Sequence, residues 1–263
     1  MKPLVWAVLL ILIAAAPAVA SFISLNTTLS SKIEGRTLKV SVLSVNKGDE
    51  SAYNVQAEFK AGGKEILAEK RTELAVDASY KAQASIPLPA TKPGNYPLTL
   101  IMHYTDANQY SFSALTAQTF VYKKETPSPL FGQVKSTTFS KEGKLRFKLK
   151  NLGVKNIRAV AYLVAPRELT VEEQKLELAV DPKSEQSASF SVKNFSALSG
   201  STYQIFAVAE FEDDGMHFTS IAPGTIKIIE DRIFLGLSQN LLIIALVLLV
   251  MIFIGAQFIK RGR

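Results

Sequence analysis

The residues of this sequence best suited to metal chemistry are the four acidic side chains within residues 210–214. Clustered carboxylates are the ligands that Ca²⁺ prefers in proteins. The same stretch also fits a hairpin, in which Phe211 points inward, Glu210 and Glu212 point outward, and Asp214-Gly215 makes a tight turn. We favour the hairpin and predict no metal or cofactor in the chain.

Nucleophilic catalysis has few candidate residues here. The sequence contains two histidines, His103 and His217, and neither lies near a Gly-x-Ser-x-Gly motif. It contains no cysteine, which excludes disulfides, thiolate metal ligands and cysteine nucleophiles. We therefore interpret both histidines as surface or strand residues, predict no catalytic residues, and expect the protein not to be an enzyme.

Two asparagines lie in glycosylation sequons, Asn26-Thr27-Thr28 and Asn194-Phe195-Ser196. They are the only modification sites that we predict. The net charge of +7 is concentrated at the ends of the chain, because the remainder carries 26 basic against 23 acidic residues once Lys2, Lys260, Arg261 and Arg263 are set aside. This balance does not indicate a nucleic-acid partner.

An internal repeat divides the middle of the chain. The pentapeptide Glu-Leu-Ala-Val-Asp occurs at residues 73–77 and again at 177–181, and Asn46-x-Gly48 is matched by Asn151-x-Gly153. Between the copies lies a segment with two prolines, residues 125–129, which suits a short and stiff linker. The repeat predicts one domain over residues 21–124 and a second over 130–230, each of ordinary domain size.

Each copy has the alternation of β-strands. Leu38, Val40 and Val42 alternate with polar residues, which is the period of two expected when one face of a strand is buried. Turn sequences rich in Gly, Asn and Asp separate these strands. We predict an all-β protein made of two tandem immunoglobulin-like β-sandwiches, with Tyr96 and Tyr203 opening the penultimate strand of each and bonding nearby backbone through their hydroxyls.

The two ends of the chain carry membrane signals. Lys2, an apolar run over residues 4–16 and the pattern Ala18-Val19-Ala20 predict a signal peptide over residues 1–20. Residues 233–259 are predicted to form one transmembrane helix, followed by a basic tail at 260–263. The positive charges place that tail in the cytoplasm and the middle of the chain outside it, in a single-pass protein of the cell membrane.

The order of short motifs in the first copy supplies a resemblance. Leu-x-Val-x-Val and Asn-x-Gly between residues 38 and 48, Pro-Gly-x-Tyr at 93–96 and Tyr-x-Asp at 104–106 resemble the tandem cell-adhesion-related immunoglobulin-like domains of bacterial and archaeal surface proteins. The second copy departs from this pattern, since Tyr203 follows Ser-Gly-Ser-Thr. A weaker similarity is to the alpha subunit of the translocon-associated protein, which shares the plan of signal, immunoglobulin-like domain, helix and basic tail.

These features predict a non-enzymatic membrane protein that presents its β-domains outside the cytoplasm for protein interaction, adhesion or envelope structure. The resemblance implies a protein partner, which the residues do not identify. The alternative is an accessory subunit of a membrane complex, such as a translocon or an envelope assembly machine.

Overall fold

The computed structural model describes residues 22–89, 92–230, 233–234, 237–238, 241, 244–245 and 248. The predicted all-β class is confirmed, because strands make up most of this part of the chain. The predicted signal peptide and basic tail lie outside the described residues. Whether the two halves fold separately stays a prediction.

Within its described residues the first half contains eight strands. They are β1 (Leu25–Glu34), β2 (Thr37–Asn46), β3 (Ala52–Ala61), β4 (Lys64–Leu67), β5 (Arg71–Leu74), β6 (Ser79–Pro87), β7 (Gly94–Thr105) and β8 (Ser111–Tyr122). The second half contains nine. They are β9 (Leu130–Lys135), β10 (Thr137–Phe139), β11 (Glu142–Asn151), β12 (Ile157–Val164), β13 (Leu169–Val171), β14 (Leu176–Val180), β15 (Glu185–Asn194), β16 (Thr202–Asp213) and β17 (Met216–Ile228).

Both halves are built as two facing sheets. In the first half β1-β2-β6 faces a sheet in which β3 pairs with β4, β5 and β7, and β7 pairs with β8. In the second half β13-β15-β11-β9 faces β14-β12-β16-β17. Each half encloses its own cluster of buried apolar side chains, around Phe59 in the first and around Phe147 and Phe190 in the second. This strand order is that of an immunoglobulin-like sandwich.

A buried asparagine repeats between the halves. Asn46 is fully buried, donates to the carbonyls of Glu50 and Leu74 at 2.7 and 3.2 Å, and accepts from the Gly48 amide. Asn151, also fully buried, makes the same three bonds with Lys155, Val180 and Gly153, at 2.8, 3.0 and 2.8 Å. The Asn-x-Gly motif therefore holds the same loop in both copies.

The repeated pentapeptide is not in structural register. Because the equivalent asparagines bond Leu74 and Val180, these two residues occupy matching positions. The pentapeptide would instead match Leu74 with Leu178, which is two residues away. A shift of two keeps every side chain on the same face of its strand, so the alternation is preserved while the sequence match is displaced.

The two halves pack side by side. The sheet that contains β3, β7 and β8 in the first half meets the sheet β14-β12-β16-β17 in the second, and the contact of β7 with β17 joins them. In β7 the residues from Leu98 to Met102 are all buried, and in β16 those from Ile205 to Ala209 are all buried, so both strands are covered on both faces. Ile101 and Leu115 of the first half and Phe206 of the second form a small apolar cluster that joins the two halves. Adjacent strands β7 and β17 run parallel where Gly94 meets His217.

This packing folds the molecule back on itself. β7 begins beside the β16–β17 hairpin, and its other end lies beside the start of β16, where Tyr104 and Tyr203 line one cleft. One pole therefore carries the linker and the β16–β17 hairpin, and we call it the linker-end pole. The opposite pole carries Phe22 and the end of β17, and we call it the exit pole.

The segment after the second sandwich begins with a short hairpin. Ile233–Phe234 (β18) pairs antiparallel with Leu237–Ser238 (β19), so the predicted transmembrane helix does not include these residues. Leu241, Ile244, Ala245 and Leu248 are helical and exposed. Within the described residues no helix has both the length and the apolar character needed to span a bilayer. The remainder of the predicted 233–259 span lies outside them.

Candidate functional site

A group of charged side chains lies where the second sheets of the two halves meet. Glu58 of β3 is 3% exposed, and its carboxylate contacts Lys60 at 2.8 Å, His103 at 2.6 Å and Arg167 at 2.6 Å. Lys60 and His103 belong to the first half, whereas Arg167 reaches across from the second. The Glu58 carboxylate therefore links the halves through a charge-assisted hydrogen bond.

A second buried carboxylate, that of Glu168, lies beside this group, and its pKa is shifted in the opposite direction. Burial alone would raise the pKa of Glu58, but the hydrogen bonds from Lys60 and His103 outweigh burial and lower it to about 2. Burial raises the pKa of Glu168, which is 1% exposed and has one carboxylate oxygen without a hydrogen-bond partner. Glu58 is thus held ionised, whereas burial works against ionisation of Glu168.

Ser113, His103 and Glu58 stand in the order of a hydrolytic triad. The Ser113 hydroxyl lies 3.3 Å from His103 Nδ1 and donates to Glu168 Oε1 at 3.1 Å, and His103 Nε2 contacts Glu58. Burial lowers the pKa of His103. In a triad, one ring nitrogen of the histidine accepts the serine proton, and the other ring nitrogen is hydrogen-bonded to the carboxylate that orients the ring. Here Glu58 is also neutralised by Arg167 and Lys60, which fits a structural network that joins the halves.

His217 forms a second polar contact across the same interface. Its ring stacks on Tyr96 with ring centres 4.0 Å apart, and its Nε2 lies 3.0 Å from Glu210 Oε1. The Thr219 hydroxyl donates to the Asn95 carbonyl at 2.8 Å, and Lys92 pairs with Glu212. Both histidines of the chain therefore lie between the halves, each beside a glutamate.

Acid should weaken the contact made by Glu58. Its pKa is lowered from 4.5 to about 2, so this carboxylate stabilises the folded protein above pH 4.5, and the contribution is lost as the pH falls towards 2. A shift of this size corresponds to about 3 kcal/mol. We expect Glu58→Gln to be less stable than the unmodified protein at pH 7, and the difference between them to shrink as the pH falls from 5 to 2.

Urea unfolding of the segment 21–230 at several pH values measures this difference. Glu185→Gln is the matched control, because Glu185 pairs with Lys148 at the surface, where its side chain is 52% exposed. Its pH dependence should follow that of the unmodified protein closely. A constant difference between Glu58→Gln and the unmodified protein over this pH range would contradict the assignment.

Three large apolar side chains are exposed at the linker-end pole. Phe131, Leu152 and Val154 are 60%, 50% and 79% exposed. Phe131 pairs with Lys150 in the sheet, and the Leu152 amide donates to the Pro129 carbonyl at 2.8 Å, which places both residues around the start of β9, with Val154 two residues beyond Leu152. We call these three residues the linker-end patch. Groups of large exposed apolar side chains are candidate sites of protein contact.

Comparison with known proteins gives limited similarity. No protein-family model matches the chain, and no curated protein matches it in sequence. Among solved structures, a non-cellulosomal cohesin from the archaeon Archaeoglobus fulgidus is 13% identical, with 39% of this chain and 93% of that chain covered and a TM-score of 0.29. Trypsin-activated alpha-2-macroglobulin from Escherichia coli is 9% identical, with 78% and 18% covered and a TM-score of 0.31.

Red sea bream transglutaminase is a further match, at 12% identity and a TM-score of 0.27. The comparison covers 78% of this chain and 31% of the transglutaminase. The chain thus spans less than a third of the macroglobulin and of the transglutaminase. All three TM-scores are below 0.5, so strand order and packing, and not these similarities, define the fold of this chain.

The acidic run at 210–214 forms the predicted hairpin. Asp213 pairs with Met216, and Asp214 and Gly215 have φ angles of 48° and 73°, as a two-residue turn of this type requires. Lys155 contacts the carboxylates of both Asp213 and Asp214, at 3.0 and 2.8 Å. Among the described residues, no group of three or more His, Asp or Glu side chains is arranged to hold a metal.

The two glycosylation candidates differ in environment. Asn26 is exposed on β1. The side-chain amide of Asn194 donates to the carbonyls of Ser140 and Ala197, both at 3.0 Å, and its oxygen accepts from the Ala197 amide at 2.7 Å. Attachment of a glycan at Asn194 would break this cap, so the geometry favours Asn26 among the predicted sites.

Both predicted tyrosines bond the backbone as expected. Tyr96 donates to the Lys92 carbonyl at 2.7 Å, and the Tyr203 hydroxyl accepts from the Leu198 amide at 3.0 Å. Tyr96 opens the penultimate strand of the first half and Tyr203 that of the second. The structural role predicted for these two residues is confirmed.

Sequence reasoning missed the interface between the halves. Glu58 lies on a strand face that also carries Gln56 and Lys60, which is the pattern of a solvated surface. One available signal was the apolar run from Leu98 to Met102, interrupted only by Thr99, and another was the unbroken run from Ile205 to Ala209. Runs of this kind are typical of strands buried on both faces.

Proposed function

We propose that this chain is a non-enzymatic, single-pass membrane protein that presents its two immunoglobulin-like sandwiches outside the cytoplasm to bind a protein partner through the linker-end patch. The observation that carries the proposal is the position of this patch. Phe131, Leu152 and Val154 lie at the pole opposite the one where the chain leaves β17 for the apolar segment beyond residue 233. An anchored molecule would hold this pole away from the bilayer.

The way the halves pack supports a role in display. The apolar cluster of Ile101, Leu115 and Phe206, together with the contact between Glu58 and Arg167, joins the two sandwiches along their length. A joined pair presents its patch in one orientation, which lowers the entropy lost when a partner binds. Glu58 and Arg167 hold the two halves together through their ion pair, and this structural role of the charged groups supports the non-enzymatic function.

Cross-linking in native membranes tests the proposal. A photoreactive amino acid at Val154 should form adducts of defined mass with one partner, because this side chain is the most exposed of the three in the patch, at 79%. Val154→Asp should abolish the association that the adduct reports, since a charge in an apolar contact must be desolvated.

Leu67 provides the matched control position. It is 55% exposed, but it lies on β4, away from the patch. A photoreactive residue at Leu67 should give no adduct with the same partner. Absence of any adduct from position 154, or equal adducts from positions 154 and 67, would sink the proposal.

A further inference from the structure

The exit pole gathers exposed apolar side chains from both halves. Phe195 is 78% exposed and Ile229 is 43% exposed on the second half. On the first half Phe22 is 57% exposed and Tyr110 is 54% exposed. Phe195 has one of the most exposed apolar side chains of the described residues, so its exposure needs a physical reason.

Hydrogen bonds place Phe195 beside the point where the chain leaves the sandwich. The Ile229 amide donates to the Phe139 carbonyl at 3.0 Å, and the Asn194 amide donates to the Lys141 carbonyl at 2.7 Å. Residues 195 and 229 therefore flank one short segment, residues 139–141. The Asn194 side chain further fixes this loop through Ser140, so Phe195 is held in place at the pole.

The first half contributes to the same pole. Phe22 is held by a bond from its amide to Asp49 at 2.6 Å, and Tyr110 by a bond from its amide to Asp106 at 2.9 Å. Phe22 and Asp106 line one cleft together with Leu198 of the second half. The four exposed side chains thus belong to one end of the molecule, although they are distant in sequence.

The chain beyond this pole is apolar within a few residues. Ile233 follows Ile229 by four residues, which extend over at most about 14 Å. There β18 and β19 form a hairpin whose sequence includes Ile233, Phe234 and Leu237. Helical, exposed and apolar residues follow at Leu241, Ile244 and Leu248. The exit pole is therefore tethered close to the segment proposed to enter the bilayer.

The charges at the pole do not favour an electrostatic contact. The first half contributes the acidic residues Asp49, Glu50 and Asp106. In the second half Lys193 pairs with Glu172, and Lys141 is followed by Glu142, so the pole carries no excess of positive charge that would attract anionic lipid. Aromatic side chains, by contrast, are favoured at the boundary between headgroups and acyl chains. Burying an exposed phenyl ring there is favourable in proportion to its apolar area.

We infer that the exit pole is a lipid-docking surface, at which Phe195, together with Ile229, Phe22 and Tyr110, rests in the interfacial layer of the bilayer. This inference rests on the proposed membrane anchoring. Docking would fix the ectodomain upright, with the linker-end patch facing away from the membrane. Neutral lipid is sufficient for such a contact, and added anionic lipid or salt should change it little.

Tryptophan fluorescence tests the inference in the full chain. Its one tryptophan is Trp6, so Trp6→Phe gives a silent background. In that background Phe195→Trp is reconstituted into phosphatidylcholine vesicles that contain a spin-labelled lipid, with the label either shallow or deep. We expect a blue-shifted emission and quenching that is stronger with the shallow label, because interfacial groups lie about 5–10 Å below the surface.

Phe131→Trp is the control, because Phe131 is 60% exposed at the opposite pole and its replacement should emit like a residue in water, without quenching. Flotation of the vesicles after an alkaline wash reports anchoring separately. If the Phe195→Trp protein floats and its emission is not quenched, the lipid contact is overturned while the anchoring proposal stands. Equal quenching at both positions also overturns it. If the protein does not float, the anchoring proposal fails and the inference fails with it.

Discussion

We expect replacement of Asn151 by alanine to be among the most destabilising substitutions in the second half. Its buried side chain makes three hydrogen bonds, with the backbone of Lys155, Val180 and Gly153. Removing it leaves the buried Val180 carbonyl unpaired, at a cost of about 1–3 kcal/mol, and two partly buried backbone groups unpaired at a smaller cost each, in addition to the loss of packing around a fully buried side chain. The expected loss of about 3 kcal/mol or more would lower the melting temperature by roughly 12–24 °C where the second half unfolds by itself, and by roughly 6–12 °C where the two halves unfold together.

Thermal and urea unfolding of Asn151→Ala measure this loss. Asn156→Ala is the matched control, because Asn156 is exposed and its side-chain amide donates to the exposed carboxylate of Asp181. It should change the free energy of unfolding by less than about 1 kcal/mol. The equivalent substitution in the first half, Asn46→Ala, should be as severe as Asn151→Ala. A mild effect at both buried positions would contradict the shared role of the Asn-x-Gly motif.

Replacement of Gly94 by alanine should separate the halves. A Cβ atom at Gly94 would lie 2.0 Å from the His217 carbonyl oxygen and 2.8 Å from its backbone nitrogen. Backbone atoms cannot move aside as a side chain can, and the φ angle of 145° already suits glycine alone. Strands β7 and β17 must then part, with loss of the bond from the His217 amide to the Pro93 carbonyl and of the ring stack on Tyr96.

The expected destabilisation is about 2–4 kcal/mol, the range for strain combined with a broken buried contact. Small-angle scattering should show a larger radius of gyration, and the 125–129 linker should become sensitive to protease. Gly63→Ala is the control, because Gly63 also has a positive φ, of 71°, but a Cβ there meets no atom within 4 Å. Equal effects of the two substitutions would mean that the close approach of the strands is unimportant.

The sandwiches themselves could be predicted from local patterns. Alternation in β2 and β11, the Asn-x-Gly loops, and the tyrosines at positions 96 and 203 each depend on residues close together in one half. Burial of one strand face and the geometry of one turn fix such features, so the sequence carries them directly. The pentapeptide repeat misplaced the register by two residues because an even shift leaves the pattern of faces unchanged.

The interface between the halves depends on contacts between residues that lie about a hundred positions apart in the sequence. The alternation of its strand predicts that Glu58 is exposed. It is buried because the second half, which carries Arg167, packs against this strand. His103 and His217 occupy non-equivalent positions of the repeat, so comparing the two copies gives no sign that the histidines are related. The packing of the two halves nevertheless brings both to one interface. The linker-end patch was missed because Phe131 lies on β9 and Val154 lies in the loop between β11 and β12, so no single segment shows the patch.

Cysteine labelling in intact cells tests the proposed topology directly, because the natural chain has no cysteine and each introduced thiol reports alone. Leu67→Cys places a thiol at a side chain that is 55% exposed outside the linker-end patch, where a bound partner would not cover it, and Arg263→Cys places one in the basic tail. A membrane-impermeant maleimide should label Leu67→Cys in intact cells and Arg263→Cys only after the membrane is permeabilised. Labelling of Arg263→Cys in intact cells, with Leu67→Cys protected, would contradict the proposed display of the two sandwiches outside the cytoplasm.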